Sequence, residues 1–265
     1  MAVALVAGCA DAATVAVREA DRLYREQAWE RAARAYATLP DSAGDWRGYG
    51  AWRAGVIHRD PLGDRKRARV QFTICAREFA AEEWGYTCLV ELGDLARDSA
   101  DPRAAIAAYR AALESRPRGQ WSEHCLFESG RAYQELGEHA EARTEWSELL
   151  ARFGRGTRAP EVQLAIARSF DLSRQPKEAR RAFQNVHRTH PQHSVAPLAL
   201  FGEAEALEQL GELDAALALY LKVRQRHPNP RIVDQKIEAI RIRQERRDVD
   251  AGLRAMQDGG DGGGL

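Results

Sequence analysis

Several residue types are scarce in this chain, and each shortage excludes something. Its 265 residues contain two asparagines (Asn185 and Asn229), two methionines and four cysteines. Cys9, Cys75, Cys88 and Cys125 form no CxxC pair, which removes the zinc-ribbon and thioredoxin-type motifs. Net charge is absent, with 39 Lys+Arg against 39 Asp+Glu, so the chain lacks the positive field that non-specific nucleic-acid binding draws on. No apolar run reaches the roughly 18 residues of a membrane-spanning helix. A GxSxG elbow, an HExxH pair and a glycine-rich phosphate loop are also missing. These absences give no reason to expect an enzyme, a cofactor, a resident metal or a small-molecule substrate. What remains is 45% hydrophobic and 29% charged, dominated by Ala and Arg, the composition of a helical chain able to bury a core.

Self-similarity is the dominant positive signal. A small-residue–x₃–aromatic pattern recurs as Ala32/Tyr36, Ala68/Phe72, Ala105/Tyr109, Ala142/Trp146, Ala179/Phe183 and Ala216/Tyr220, at spacings of 36, 37, 37, 37 and 37 residues. Twelve residues before the alanine the last five units carry another small side chain or one beside it, at Gly55–Val56, Gly93, Gly130, Ala167 and Ala204. Twelve residues after it, three units carry Pro117, Pro191 and Pro228. Two amphipathic helices per unit account for this spacing. The two small residues let the helix backbones approach, and the aromatic one turn on fills the gap from the same face. Leu136-Gly137-Glu138 and Leu210-Gly211-Glu212 supply a left-handed glycine to end a first helix, and the prolines end the second.

The small–aromatic–proline order resembles the tetratricopeptide repeat, and the resemblance spans roughly residues 14–229. It implies an all-α, right-handed solenoid of about six helix-turn-helix repeats. The period exceeds the usual 34 by about one helical turn. In that respect, and in endings such as Val186-His187-Arg188-Thr189-His190-Pro191, it is similar to the repeats of bacterial envelope proteins. Examples are the tetratricopeptide lipoprotein of the outer-membrane β-barrel assembly machinery and the Tol-Pal-associated coordinator of cell division. The implied layout is a leader remnant over 1–9, the solenoid over 10–229, a charged capping helix over 230–250 and a flexible glycine-rich tail over 251–265.

In the tetratricopeptide family the first helices line a concave groove, at positions fifteen and eleven residues before each key alanine. The resemblance therefore places Val90 with Asp94, Phe127 with Arg131, Leu164 with Arg168, and Phe201 with Glu205 in a peptide-binding groove. Arg131 and Arg168 suit a carboxylate, and Phe127 and Phe201 suit apolar anchors. The alternative is that both arginines pair with neighbours such as Asp94, Asp171 or Glu205 and keep the groove soluble. The trio His187, His190 and His193 is not expected to hold a metal, because Pro191 ends the helix before the third. Trp46, Trp52 and Trp84 are expected in the core, with a ligand cage as the alternative. Cys88 and Cys125 are equivalent positions on neighbouring first helices, about 8–10 Å apart, beyond the ~7 Å limit of a bridge. Cys75, Cys88 and Cys125 are accordingly expected as unpaired buried thiols.

Leu5-Val6-Ala7-Gly8-Cys9 resembles the bacterial lipoprotein box, which implies lipidation of Cys9 and a longer leader upstream of Met1. Together these resemblances imply a non-catalytic interaction scaffold on the periplasmic face of the outer membrane. It would hold protein or peptide segments of envelope complexes and touch the membrane only through its anchor. The alternative is a cytoplasmic adaptor that docks partner peptides or regulates an enzyme. The chaperone-docking kind of adaptor needs asparagines along its first helices, and none precedes Asn185.

Overall fold

The computed structural model describes residues 2–154 and 156–260, with side chains described over 12–154 and 156–251. Among them are thirteen α-helices and no strand, in two compact units, Met1–Glu138 and His139–Leu265. The first unit contains α1 (Ala2–Arg25), α2 (Trp29–Ala37), a 3₁₀ turn (Asp41–Ala43), α3 (Trp46–Arg59), α4 (Arg65–Glu78), α5 (Glu83–Asp98), α6 (Pro102–Ser115) and α7 (Ser122–Glu135). The second contains α8 (His139–Phe153), α9 (Ala159–Leu172), α10 (Pro176–Thr189), α11 (Val195–Gln209), α12 (Leu213–Val223) and α13 (Pro230–Gly260). Within each unit every helix packs on its sequence neighbours, and α3 also meets α5 as α9 meets α11. In these two cases a first helix touches the first helix of the next repeat. The lipid-anchor reading at Cys9 falls outside the residues whose side chains are described. No helix among the described residues is long and apolar enough to cross a membrane. The helix α13 passes residue 250 and runs to Gly260.

The repeat register is visible in burial. All six key alanines have no exposed surface, and the six aromatics four residues later are exposed by 3% or less. In the first unit the reason for the small partner residue is direct. A Cβ on Gly55 would lie 2.4 Å from the Phe72 ring, and one on Gly93 would lie 2.3 Å from the Tyr109 ring. Each ring fills the space that a side chain would take, which is the close backbone approach the spacing predicts. At the far end of the second unit, Val233, Ile237 and Ile240 of α13 lie one turn apart and bury against Leu200, Ala204, Leu207 and Tyr220. The capping helix therefore covers the last pair with one apolar stripe and turns its charges outward.

The turns repeat as strictly as the helices. Gln27, Gly63, Ala100, Gly137, Arg174 and Gly211 all adopt φ between 54 and 78°, each five residues before a key alanine. In five of the six turns the next amide reaches back five residues: Ala28 to Leu23 (2.9 Å), Asp101 to Ala96 (2.9 Å), Glu138 to Tyr133 (2.9 Å), Gln175 to Phe170 (3.0 Å) and Glu212 to Leu207 (3.0 Å). That is the left-handed termination that satisfies the last carbonyls of a helix. Glycine marks it in the sequence at only three sites. At the others an ordinary side chain bears the left-handed strain of about 1–2 kcal/mol. Arg174→Gly is therefore expected to raise the unfolding free energy in a urea titration by a net ~0.5 kcal/mol, the relief exceeding the extra unfolded-chain entropy of glycine. Gly137→Ala should lose about 1 kcal/mol although its new methyl would meet no atom within 4 Å. A gain from the first and a larger loss from the second would confirm backbone strain, and no shift from either would refute it.

The cysteines correct the sequence reading. Cys75 of α4 and Cys88 of α5 form a disulfide with Cα atoms 6.1 Å apart, and Cys125 alone is a free, buried thiol among the described residues. The expectation compared equivalent positions in successive repeats. Instead, the short turn between α4 and α5 folds two consecutive helices together and brings residues 13 apart within bridging distance. Burial, the largest influence, pushes the Cys125 thiol up to about 12, so it stays protonated and unreactive in the folded chain.

Candidate functional site

First helices of the first unit share a face that is aromatic at one end and ionic at the other. Trp46, Tyr49 and Trp52 follow one another at helical spacing on α3, and Trp84 opens α5 beside them. The Tyr49 ring centre lies 5.6 Å from Trp46, 5.9 Å from Trp52 and 5.3 Å from Trp84, and Trp52 lies 5.3 Å from Trp84. The rings fill one another's faces, as a packed cluster does, and only the outermost, Trp46, is largely exposed, at 54%. Trp121, which immediately precedes α7, stands 37 residues after Trp84 and is also exposed, with its ring 6.4 Å from His124. The regular spacing of Trp84 and Trp121 is a signal the alanine register does not capture.

The ionic end is a chain of pairs crossing from helix to helix. Glu91 of α5 accepts from Trp52 Nε1 (3.0 Å) and pairs with Arg59 of α3. Asp94 of α5 accepts from Tyr109 Oη at 2.7 Å, and its Oδ1 lies 2.8 Å from His124 Nε2 and 3.0 Å from Arg97. Arg97 extends to Glu128 of α7 at 3.6 Å, and Glu128 meets Arg131 at 3.4 Å. Burial pushes the Asp94 carboxyl up, but hydrogen bonds from His124 and Tyr109 and the nearby charges hold it below its usual value. Burial and the same Asp94 hydrogen bond push the Tyr109 hydroxyl up, so it stays protonated and donates.

The second unit carries its own ionic cluster across α9, α11 and α13. Asp171, Glu205, Glu208, Gln209, Lys236 and Arg243 line a polar recess of 290 Å³. Lys236 Nζ bridges Glu205 (3.3 Å) and Glu208 (3.2 Å), Arg243 reaches Glu208 at 2.8 Å, and Gln209 donates to Asp171 at 2.6 Å. Burial raises the Glu205 carboxyl against the opposing pull of Lys236. The histidines of α10 and its end go to separate partners: His187 to Glu203 (2.6 Å), His190 to Gln163 (3.1 Å), while the His193 ring accepts from the Val195 amide (3.3 Å). Among the described residues no group of three or more His, Cys, Asp or Glu is arranged to hold a metal.

The residues assigned to the groove divide between the units, Phe127 and Arg131 in the first, Leu164, Arg168, Phe201 and Glu205 in the second. The two arginines of the charged row are accessible. Arg131 is half exposed and holds Glu128, a partner three residues away on its own helix rather than Asp94. Arg168 is exposed, and within the described residues no carboxylate lies within ion-pair distance of it. Glu205 is half-buried against Lys236. The apolar row is drawn inward. Val90 and Leu164 are each 4% exposed and belong to helix-pair cores, Phe127 is half-buried, and the Phe201 ring lies 5.3 Å from Tyr220 and 4.7 Å from His227. At Leu164 and Arg168 the apolar side chain is taken into the core and its charged neighbour one turn on is left to solvent.

Models of the tetratricopeptide repeat match residues 90–122, 124–154 and 172–234. Among solved structures, the chain resembles a tetratricopeptide repeat protein from Parabacteroides merdae at 16% identity, covering 91% of each chain with a TM-score of 0.56. It resembles the C-terminal part of a repeat-containing protein from Cytophaga hutchinsonii at 16% identity, over 79% of this chain and 78% of that one, with a TM-score of 0.57. MamA matches at 15% identity over 69% of this chain and 93% of its own, with a TM-score of 0.54. No curated protein matches by sequence. At such identities the likeness establishes the fold, an all-α stack of helix pairs, and the family models mark tetratricopeptide repeats over the residues they match.

Proposed function

We propose that this tetratricopeptide-repeat chain is a non-catalytic protein–protein interaction scaffold of the bacterial envelope, lipid-anchored through Cys9, that holds segments of envelope complexes along its first-helix faces. The observation that carries the scaffold reading is a charged side chain at one register position of four first helices, Asp94 and Arg131 in the first unit and Arg168 and Glu205 in the second, recurring every 37 residues, with both arginines exposed. The exposed arginines, Arg131 in the first unit and Arg168 in the second, offer charged contacts to acidic groups of partner segments on a repeating frame. The envelope reading is supported by the Leu5–Cys9 pattern and by the Cys75–Cys88 disulfide, since such bridges persist in oxidising compartments.

Fractionation of cells carrying the gene with its upstream sequence tests the anchor. The wild-type chain is expected in the outer-membrane fraction, and Cys9→Ser should move it to the soluble periplasm. A wild-type chain found in the cytoplasm, or a Cys9→Ser chain that stays on the membrane, would contradict the anchor and favour the cytoplasmic adaptor.

A further inference from the structure

A groove of 480 Å³ opens in the first unit between α4 and α6, floored by α5 on a different side of that helix from Trp84, Glu91 and Asp94. Its floor is Leu89, Leu92 and Ala96, all half-buried, and one wall is the alanine face of α6 at Ala104, Ala107 and Ala108. Its other wall is basic. Arg65, Lys66 and Arg69 stand exposed along α4; Arg65 donates to the Asp98 carbonyl at 3.1 Å. Among the described residues, Lys66 and Arg69 have no carboxylate within ion-pair distance. Asp101, the acidic residue on the rim, is engaged by the Ala104 amide as the cap of α6.

We propose that this groove docks a short amphipathic helix of a partner protein, its apolar residues on Leu89, Leu92 and Ala96 and a row of carboxylates against Lys66 and Arg69. This surface is separate from the first-helix row, and the proposal goes beyond the function assigned to that row. Charge complementarity selects an acidic occupant, because the lip carries cations whose charge nothing in the described structure neutralises. The lining selects a helix. Its walls are helices whose own backbone bonds are closed, and only Thr73 and Ser99 add hydroxyls, so an extended peptide would bury amides without partners. A helix brings its backbone already satisfied. Alanines at i, i+3 and i+4 on α6 allow its axis to approach closely, and the wall from Arg65 to Thr73 spans about 12 Å, or roughly two turns.

The test uses the full chain and fluorescein-labelled helical peptides of about 16 residues, long enough to hold a helix alone. All carry leucines at i, i+3 and i+7. One is flanked by glutamates, one by lysines, and one is the glutamate peptide broken by a central proline. Fluorescence anisotropy should show the glutamate helix binding at least about tenfold more tightly than the other two, and laurate should not displace it. A Lys66→Glu, Arg69→Glu double variant, unchanged by circular dichroism because both sites are exposed, should invert the preference towards the lysine helix. The proposal is overturned if the glutamate helix does not bind, if charge makes no difference, if the proline peptide binds equally, if laurate displaces it, or if the folded double variant keeps the original preference. None of these outcomes bears on Cys9 or the first-helix row.

Discussion

Tyr109→Ala should destabilise the first unit by about 3–5 kcal/mol, the range for removing a large buried ring. The ring is fully buried among Val90, Ala105, Ala112 and Cys125 and fills the space over Gly93, where the helices are too close for any other side chain to enter. The surrounding helices are held by their own cores on both sides, so the cavity has little room to collapse. Tyr109→Phe separates the two roles of the side chain. It keeps the ring and removes only the 2.7 Å hydrogen bond to Asp94, a charged acceptor, at an expected cost of about 1.5–3 kcal/mol. Denaturant unfolding that gave equal losses for both substitutions would mean that the ring is not packed as described.

A Cys75→Ser, Cys88→Ser variant should lose about 3 kcal/mol, the loop-closure contribution of a bridge spanning 13 residues. Reductant should lower wild-type stability by the same amount and leave the double variant unaffected. The remaining thiol supplies the control. In a Cys9→Ser background, native protein should show no reactivity towards a thiol reagent, because Cys125 is buried and its thiol is pushed up, and one thiol should appear on unfolding without reductant. Three thiols appearing on unfolding would show that the bridge does not form.

Much of this architecture was legible in the sequence because one physical constraint repeats. Alanine and aromatic at i and i+4 are forced wherever two helices approach closely, so the pattern gave all six pairs and their register, from Ala32/Tyr36 to Ala216/Tyr220. The turns were half legible. Gly137 and Gly211 announce the left-handed residue, but Gln27, Ala100 and Arg174 adopt it without a residue type that betrays it, held there by the packing on either side. The disulfide escaped because Cys88 and Cys125 share a register position while Cys75 does not. Proximity between consecutive helices follows from the turn, which the repeat spacing does not describe. Val90 and Leu164 share a helical face with Asp94 and Arg168 in projection, yet both apolar members are buried in helix-pair cores, while Arg168 stays exposed and Asp94 is held by Tyr109, His124 and Arg97. The basic-lipped groove on α4 and α6 has no sequence motif, since it arises from equivalent helices one repeat apart.

The central claim, that partner segments are held along the charged first-helix row, is tested most directly by an Arg131→Glu, Arg168→Glu double variant. Both side chains are exposed, so the variant should keep the wild-type circular dichroism spectrum, with a lower thermal midpoint because Arg131→Glu removes the partner of the buried Glu128. Purified from cells after cross-linking, it should lose the envelope proteins that accompany the wild type. Recovery of every partner by the folded double variant would contradict the account and place the interaction on another surface.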